Sequence, residues 1–385
     1  MDKPADKGAS PNEKTSERTD SLARLLEMLE GGDAQTRGMV ATAFSRVKDP
    51  ATVEPLIGLL ADEDEHVRSA AAQALGFQED ERAVGPLIDA AHNMEDESLR
   101  ANALAALSRL AHPGSFNTAV AALFDLSDAV RKNAAVAVGK LHDARALEPL
   151  VMLLDDENPQ VRANAAWALG EIGETGAVDA LIARLDRELD AQARQMLFIA
   201  LGVLATPEAC ERCLAEATTQ LTTPNSRIAA MIGAVDAITQ HLSDDAATVA
   251  RQSDRLRPAL LSSLAGADDN EERATAAWAL GHLPDAPASH EAALAALIAA
   301  LDDPYEWVVA YAVESLAILH DARAEKPLRQ LAARASDADS EAPEDDGSHP
   351  DLPSLAAQAA DVIAGAAPMP KPLRPEGAPS AEEAR

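Results

Sequence analysis

One phrase recurs along this chain at a nearly constant distance, and it constrains the fold more than any other feature. It reads HVRSAAAQALG from His66, AVRKNAAVAVG from Ala129, QVRANAAWALG from Gln160 and EERATAAWALG from Glu271. Weaker copies are TRGMVATAFS from Thr36, LRANALAALS from Leu99, ARQMLFIALG from Ala193 and WVVAYAVESLA from Trp307. Counted on the arginine, copies stand at Arg37, Arg68, Arg100, Arg131, Arg162 and Arg194, with spacings of 31, 32, 31, 31 and 32. Arg227, Arg273 and Val309 continue the series at 33, 46 and 36, so the later units carry insertions or have diverged. Self-similarity at such a period is the mark of units that stack on one another. Nine units fit between about residue 20 and residue 335.

Each unit reads as two helices. In the fifth copy Val161, Ala165, Ala168 and Leu169 form one apolar stripe at helical spacing. Gly170 then permits a close helix contact or starts the exit, and a second helix runs from about Ala177 with Leu181, Ile182 and Leu185 inward. Pro55, Pro86 and Pro149 suit the first turn of the equivalent helices, where a missing N–H costs little. Helices of roughly 12 residues cannot bury an apolar face in pairs alone, so neighbouring pairs must stack. The 85 alanines let helices approach closely, and only 10 aromatic residues are needed because two-helix layers enclose no wide interior. The expected fold is an all-α, right-handed α-solenoid of about nine repeats over residues 20–335, with extra polar residues at 240–258. Around it are expected a disordered tail (1–19), an acidic linker (336–351), a terminal capping helix (352–366) and a Pro-rich tail (367–385).

The recurring VRxxAAxALG resembles the HEAT repeat, specifically the short HEAT-like variety named after the phycobilisome lyases, over about 300 residues. An aspartate six residues before the arginine is typical of that family: Asp62/Arg68, Asp125/Arg131 and Asp156/Arg162. The resemblance implies a structural ladder of Asp–Arg hydrogen bonds between adjacent repeats. Met94 before Arg100 and Leu221 before Arg227 are expected to break it, and Asp303 before Val309 to leave it half-present. The same resemblance implies, as alternatives to a scaffold, a lyase-like or chaperone-like accessory factor related to bilin lyases, or an accessory component of archaeal taxis signalling.

No residue set points to catalysis. Cys210 and Cys213 form a CxxC, but they align with Val53 and Leu56 of an earlier helix and therefore read as core. His112, His142, His282 and His320 fall near ends of equivalent helices, where a histidine can meet orphan carbonyls. Deoxyhypusine hydroxylase, a HEAT-repeat enzyme, binds two irons through His-Glu pairs. Here the positions after the arginines are Ser69, Ala101, Lys132 and Ala163, and His290–Glu291 stands in another helix context. The run GEIGETG from Gly170 follows a helix and lacks a Walker lysine, so it is no phosphate loop. No cofactor and no metal are expected.

The arginine-bearing helix lines the concave surface in HEAT proteins. Residues one before and three, six and seven after the arginine should serve the core, and those two and five after it should face a groove. That places Asn102, Asn133, Asn164, Met196 and Tyr311 at the first groove position, and Val136, Trp167, Ile199 and Trp278 at the second. An apolar stripe with an amide row resembles armadillo-type grooves that hold extended peptides, so these residues are the expected binding surface for a protein partner, the alternative being that Trp167 and Trp278 pack sideways onto neighbouring repeats. The expected function is a non-enzymatic scaffold or adaptor. The net charge of −31 argues against nucleic acid, and no apolar run approaches the roughly 18 residues of a membrane span. A polar N-terminus and two cysteines suggest the cytoplasm. With 25 Arg against 8 Lys, the acidity suggests the high-salt cytoplasm of a halophilic archaeon, where screening over about 3 Å at 1 M makes self-repulsion tolerable.

Overall fold

The computed structural model describes residues 21–29, 31–219, 223–240, 246–284, 287–336 and 351–366. The tails expected at 1–19 and 367–385, and the acidic run from Asp337 to Asp346, lie outside them. Among the described residues every regular element is helical, and no helix is long and apolar enough to cross a membrane. The fold is an all-α solenoid of stacked helix pairs, in two compact units, Met1–Leu153 and Leu154–Arg385.

In the first unit α1 spans 21–29, α2 Ala34–Phe44, α3 Val53–Leu59, α4 Glu65–Gln78, α5 Val84–Ala91, α6 Glu97–Leu110, α7 Phe116–Ala122, α8 Asp128–Lys140 and α9 Leu147–Leu153. The arginine-bearing helices α2, α4, α6 and α8 stack in a row, and the shorter α3, α5 and α7 pack beside α4, α6 and α8. The core follows the phrase. Around Arg68, Val67, Ala71, Ala74 and Leu75 are buried, and around Arg131 the same holds for Val130, Ala134, Ala137 and Val138. Each buried Val or Leu contributes on the order of 2 kcal/mol. The first repeat departs from the pattern: Thr36 is half-buried and Ala43 exposed.

The ends of the helices are set by local chemistry. Asp64 starts α4 by accepting from the His66 and Val67 amides, and Glu79 ends it in the left-handed region at φ 51°. Ala111, His142, Ala205 and His320 hold the equivalent left-handed position after their helices. Both histidines close the helix end through their backbone: the His142 N–H donates to the Gly139 carbonyl at 3.1 Å and the His320 N–H to the Leu316 carbonyl at 3.2 Å. His112 accepts from the Gly114 amide at the start of the next turn, where Asp80, Asp143 and Asp321 do the same elsewhere. Pro55, Pro86 and Pro149 lie in the first turns of α3, α5 and α9.

In the second unit α10 spans Pro159–Ile172, α11 Val178–Leu185, α12 Ala191–Leu204, α13 Pro207–Ala217, α14 Pro224–Gln240, α15 Ala246–Gly266, α16 Asn270–His282, α17 Pro287–Ala300, α18 Glu306–Leu319, α19 Glu325–Ser336 and α20 Leu352–Ile363. Helices α10, α12, α14, α16, α18 and α20 form the row here. Very small residues set its spacing. A Cβ on Gly202 would lie 2.6 Å from the Gly233 Cα, and one on Gly170 3.3 Å from the Ala200 Cα, so Gly170 serves a helix contact and Gly173, at φ 76°, makes the exit. Leu181 and Leu185 are buried, while Ile182, expected inward, is half-buried. The polar extension at 246–258 is the front of the long α15, and α20 buries Ala356, Ala359, Ala360, Val362 and Ile363 against α18 and α19.

The arginines form a ladder between adjacent repeats. In the first unit guanidiniums reach the acid of the following repeat: Arg37 to Asp62 at 2.7 and 2.8 Å, Arg68 to Asp96 at 2.7 Å, and Arg100 to Asp125 at 3.0 Å twice. In the second unit Arg162 holds Glu188 at 2.7 Å twice, Arg227 holds Glu272 at 3.1 and 2.6 Å, and Arg273 holds Asp303 at 2.9 and 3.1 Å. The acid six residues upstream also offers its backbone carbonyl to its own repeat's arginine: Asp62 to Arg68 at 2.8 Å, Asp125 to Arg131 at 2.9 Å and Asp156 to Arg162 at 2.8 Å. The break expected at Met94 does not occur, because Asp96 takes the rung and Met94 points to solvent. Around the seventh repeat Glu216 and Ser226 receive Arg194 at 2.9 Å each. Asp303 completes the last rung, and the ladder ends at the buried Val309.

Candidate functional site

Side chains at the second, fifth and ninth positions after each arginine fall on one helical face, because i, i+3 and i+7 coincide at 3.6 residues per turn. The ladder and the core positions hold every helix of a row in the same register, so these faces align into a stripe. In the first unit it reads Met39, Thr42, Arg46; then Ala70, Gln73, Phe77; then Asn102, Ala105, Arg109; then Asn133, Val136, Lys140. It is open at its start: Met39 is 67% exposed, Thr42, Arg46 and Gln73 are exposed, and Phe77 is 38% exposed.

A groove of about 1300 Å³ lies on this stretch, lined among others by Met39, Thr42, Arg46, Val47, His66 and Asn102. Of the residues expected at a partner surface, Asn102 is on its wall. Asn133 and Val136 are half-buried further along, and the Asn133 amide donates to the Ala101 carbonyl of α6 at 2.8 Å. That side chain ties two helices of the row together instead of offering a rung to a peptide. The ninth position, absent from the sequence reading, adds Arg46 and Arg109 in a chain with twice as many acids as bases. Arg109 lies 4.3 Å over the ring of Phe77, so a cation and an exposed aromatic are held together on this face. A third helical step beyond the two positions considered would have found them.

The second unit treats the same positions differently. Asn164, Trp167 and Met196 are half-buried, but Ile199 is buried, and so are Trp278 at 1% and Tyr311 at 3% exposure. These last three were expected to face a groove and are instead buried, along with Ala229, Ile232, Thr275 and Glu314. Trp278 stacks on His282 with centroids 4.6 Å apart, and Tyr311 lies 5.8 Å from Trp307.

The remaining chemistry-bearing groups are built into the scaffold. Cys210 and Cys213 are buried in α13; burial pushes the Cys210 thiol up to about 11 and that of Cys213 higher still, which suppresses thiolate reactivity. His290 pairs with Asp321 at 2.8 Å and Glu291 with Arg323 at 2.6 Å, pins between consecutive repeats. Among the described residues, no group of three or more His, Cys, Asp or Glu side chains is placed to hold a metal ion.

A family model described as HEAT repeats matches residues 22–108, 84–157, 116–202, 148–227 and 257–342. Among solved structures, importin β is similar at 14% identity over 91% of this chain, with a TM-score of 0.59, and this chain spans about half of it, 52%. The complex of CpcE and CpcF of phycocyanin lyase from Nostoc sp. PCC7120 is 20% identical over 67% of this chain and 98% of that one, with a TM-score of 0.40. Human deoxyhypusine hydroxylase is 19% identical over 80% of this chain and 98% of that one, with a TM-score of 0.31. At these identities the importin β likeness speaks for the fold alone, and the other two superpose too loosely to carry an argument. No curated protein matches the chain.

Proposed function

This chain belongs to the HEAT-repeat family, and on that footing we propose that it is a non-enzymatic scaffold that holds a protein partner on the open stripe of its first unit. The observation that supports the reading is the exposure of Met39, Thr42, Arg46, Gln73 and Phe77 on one face over a groove of about 1300 Å³. A methionine and a phenylalanine exposed on one face beside a groove are apolar surface that a partner can cover. The partner chemistry that fits is an extended segment carrying apolar and acidic side chains: Met39, Val47 and Phe77 give apolar contact, and Arg46 and Arg109 give charge. Catalysis is not part of this proposal: Cys210 and Cys213 are buried, and His290 is engaged with Asp321.

The setting we infer is a high-salt cytoplasm of the halophilic archaeal kind, supported by the −31 charge and the preference for Arg over Lys. The narrowest form of the reading is an accessory link in archaeal taxis signalling, and it depends on who the partner is. The test is affinity purification of the full chain from its native host at that host's own salt, beside the variant Met39→Glu/Phe77→Ala. A stoichiometric protein that co-purifies with the parent and at least tenfold less with the variant, at unchanged helicity, is the expected result. Equal capture by both would refute the site, and a co-purifying pigmented protein would favour a lyase-like role instead.

A further inference from the structure

The change in burial along the stripe of the second unit calls for a cause. In the first unit α4 is flanked by helices on both sides, yet Gln73 and Phe77 on its stripe remain exposed, so lateral stacking by itself leaves this face open. On α14, α16 and α18 most of the same register positions, Ala229, Ile232, Asp236, Thr275, Trp278, Tyr311 and Glu314, are buried, and His282 and Ile318 are half-buried. The face combines two aromatic rings with two acids, Asp236 and Glu314, taken out of water. An aromatic-lined face is what polyproline II segments dock on, and carboxylates on such a face favour a basic segment over an acidic one.

We propose that this stretch of α14, α16 and α18 is a docking face for a proline-rich basic segment, and that its occupant is the chain's own residues 367–375. Their sequence is APMPKPLRP, with Pro368, Pro370, Pro372 and Pro375 favouring an extended helix, Met369 and Leu373 as apolar groups, Lys371 and Arg374 as charges, and no acid. The reach agrees. Helix α20 packs on α18, α18 on α16 and α16 on α14, which at about 10 Å per packed helix is about 30 Å. Nine residues of polyproline II at about 3.1 Å each extend about 28 Å. The segment begins just beyond α20, where Gly365 at φ 72° redirects the chain. Residues 337–350 are the competing stretch, but they carry six acids and no Lys or Arg and would set like charge against Asp236 and Glu314. The tail thus serves as a resident ligand on the second unit, independently of what the first unit's stripe binds.

The test uses the full chain with Trp167→Phe and Trp307→Phe, which leaves Trp278 as its one indole. Acrylamide quenching of Trp278 is measured in this protein and in the same protein carrying Lys371→Glu and Arg374→Glu. A several-fold rise in the quenching constant at unchanged far-UV circular dichroism is expected; an unchanged constant would overturn the proposal. A photo-crosslinking residue at position 373 gives a readout that does not depend on weakening anything. It should link within one chain to peptides of α16 or α18. Links only elsewhere, or only between two copies, would also overturn it.

Discussion

Glu188 is the rung whose loss the structure prices most clearly. Its carboxylate is 2% exposed and accepts from Arg162 at 2.7 Å twice, from Arg184 at 3.0 Å, and from the Leu189 and Asp190 amides at 3.0 Å each. Burial on its own would raise the carboxyl's pKa, but Arg162, the Asp190 amide and Arg184 outweigh it and bring it from 4.5 down to about 2. That drop corresponds to about 3 kcal/mol of stability, in line with the roughly 3–5 kcal/mol lost when one partner of a buried pair is removed. Glu188→Gln keeps the volume and one acceptor and deletes the charge. A depressed carboxylate stabilises above its unfolded value and loses that contribution as pH falls through its folded one. The variant should therefore lie about 3 kcal/mol below the parent at pH 7, and the gap should close between about pH 4.5 and pH 2. Urea titrations followed at 222 nm measure it, with hydrogen exchange of residues 159–204 as the local readout, since repeat arrays can unfold in parts. A gap under about 0.5 kcal/mol at pH 7, or one that stays constant down to pH 2, would refute the assignment of this rung.

Gly202→Ala should cost about 1–3 kcal/mol or more by forcing α12 away from Gly233, whereas Gly58→Ala, with nothing within 4 Å of its added carbon, should be neutral or gain up to about 1 kcal/mol; thermal melts of both distinguish packing from helix propensity. Cys210 and Cys213 should react with a thiol reagent only as fast as the second unit opens, and rapid labelling of the native protein would contradict their burial. Stability should rise steeply with potassium chloride, since the −31 charge repels itself in dilute buffer; a melting temperature insensitive to salt would remove the high-salt inference.

Much of this molecule was legible in one dimension. The period of about 31 placed eight arginine-bearing helices and a ninth with Val309 in that position, and positions one before and three, six and seven after the arginine predicted the buried residues around Arg68, Arg131 and Arg162. Alignment of Cys210 and Cys213 with Val53 and Leu56 placed both thiols in the core. Such features depend on contacts within a helix or between copies of one pattern, and helical periodicity writes those into the residue order. The partners of the arginines were not legible, because Asp96, Glu188, Glu216 and Glu272 reach their guanidiniums from the following repeat at separations of 22 to 45 residues. A spacing rule sees Asp62 six residues before Arg68, yet only the stacked backbone shows that its carboxylate belongs to Arg37. The stripe shows the same limit. Met39 and Tyr311 stand two residues after equivalent positions, Arg37 and Val309, but solvent access depends on what lies opposite each helix, and only the tertiary structure decided that one is open and the other closed.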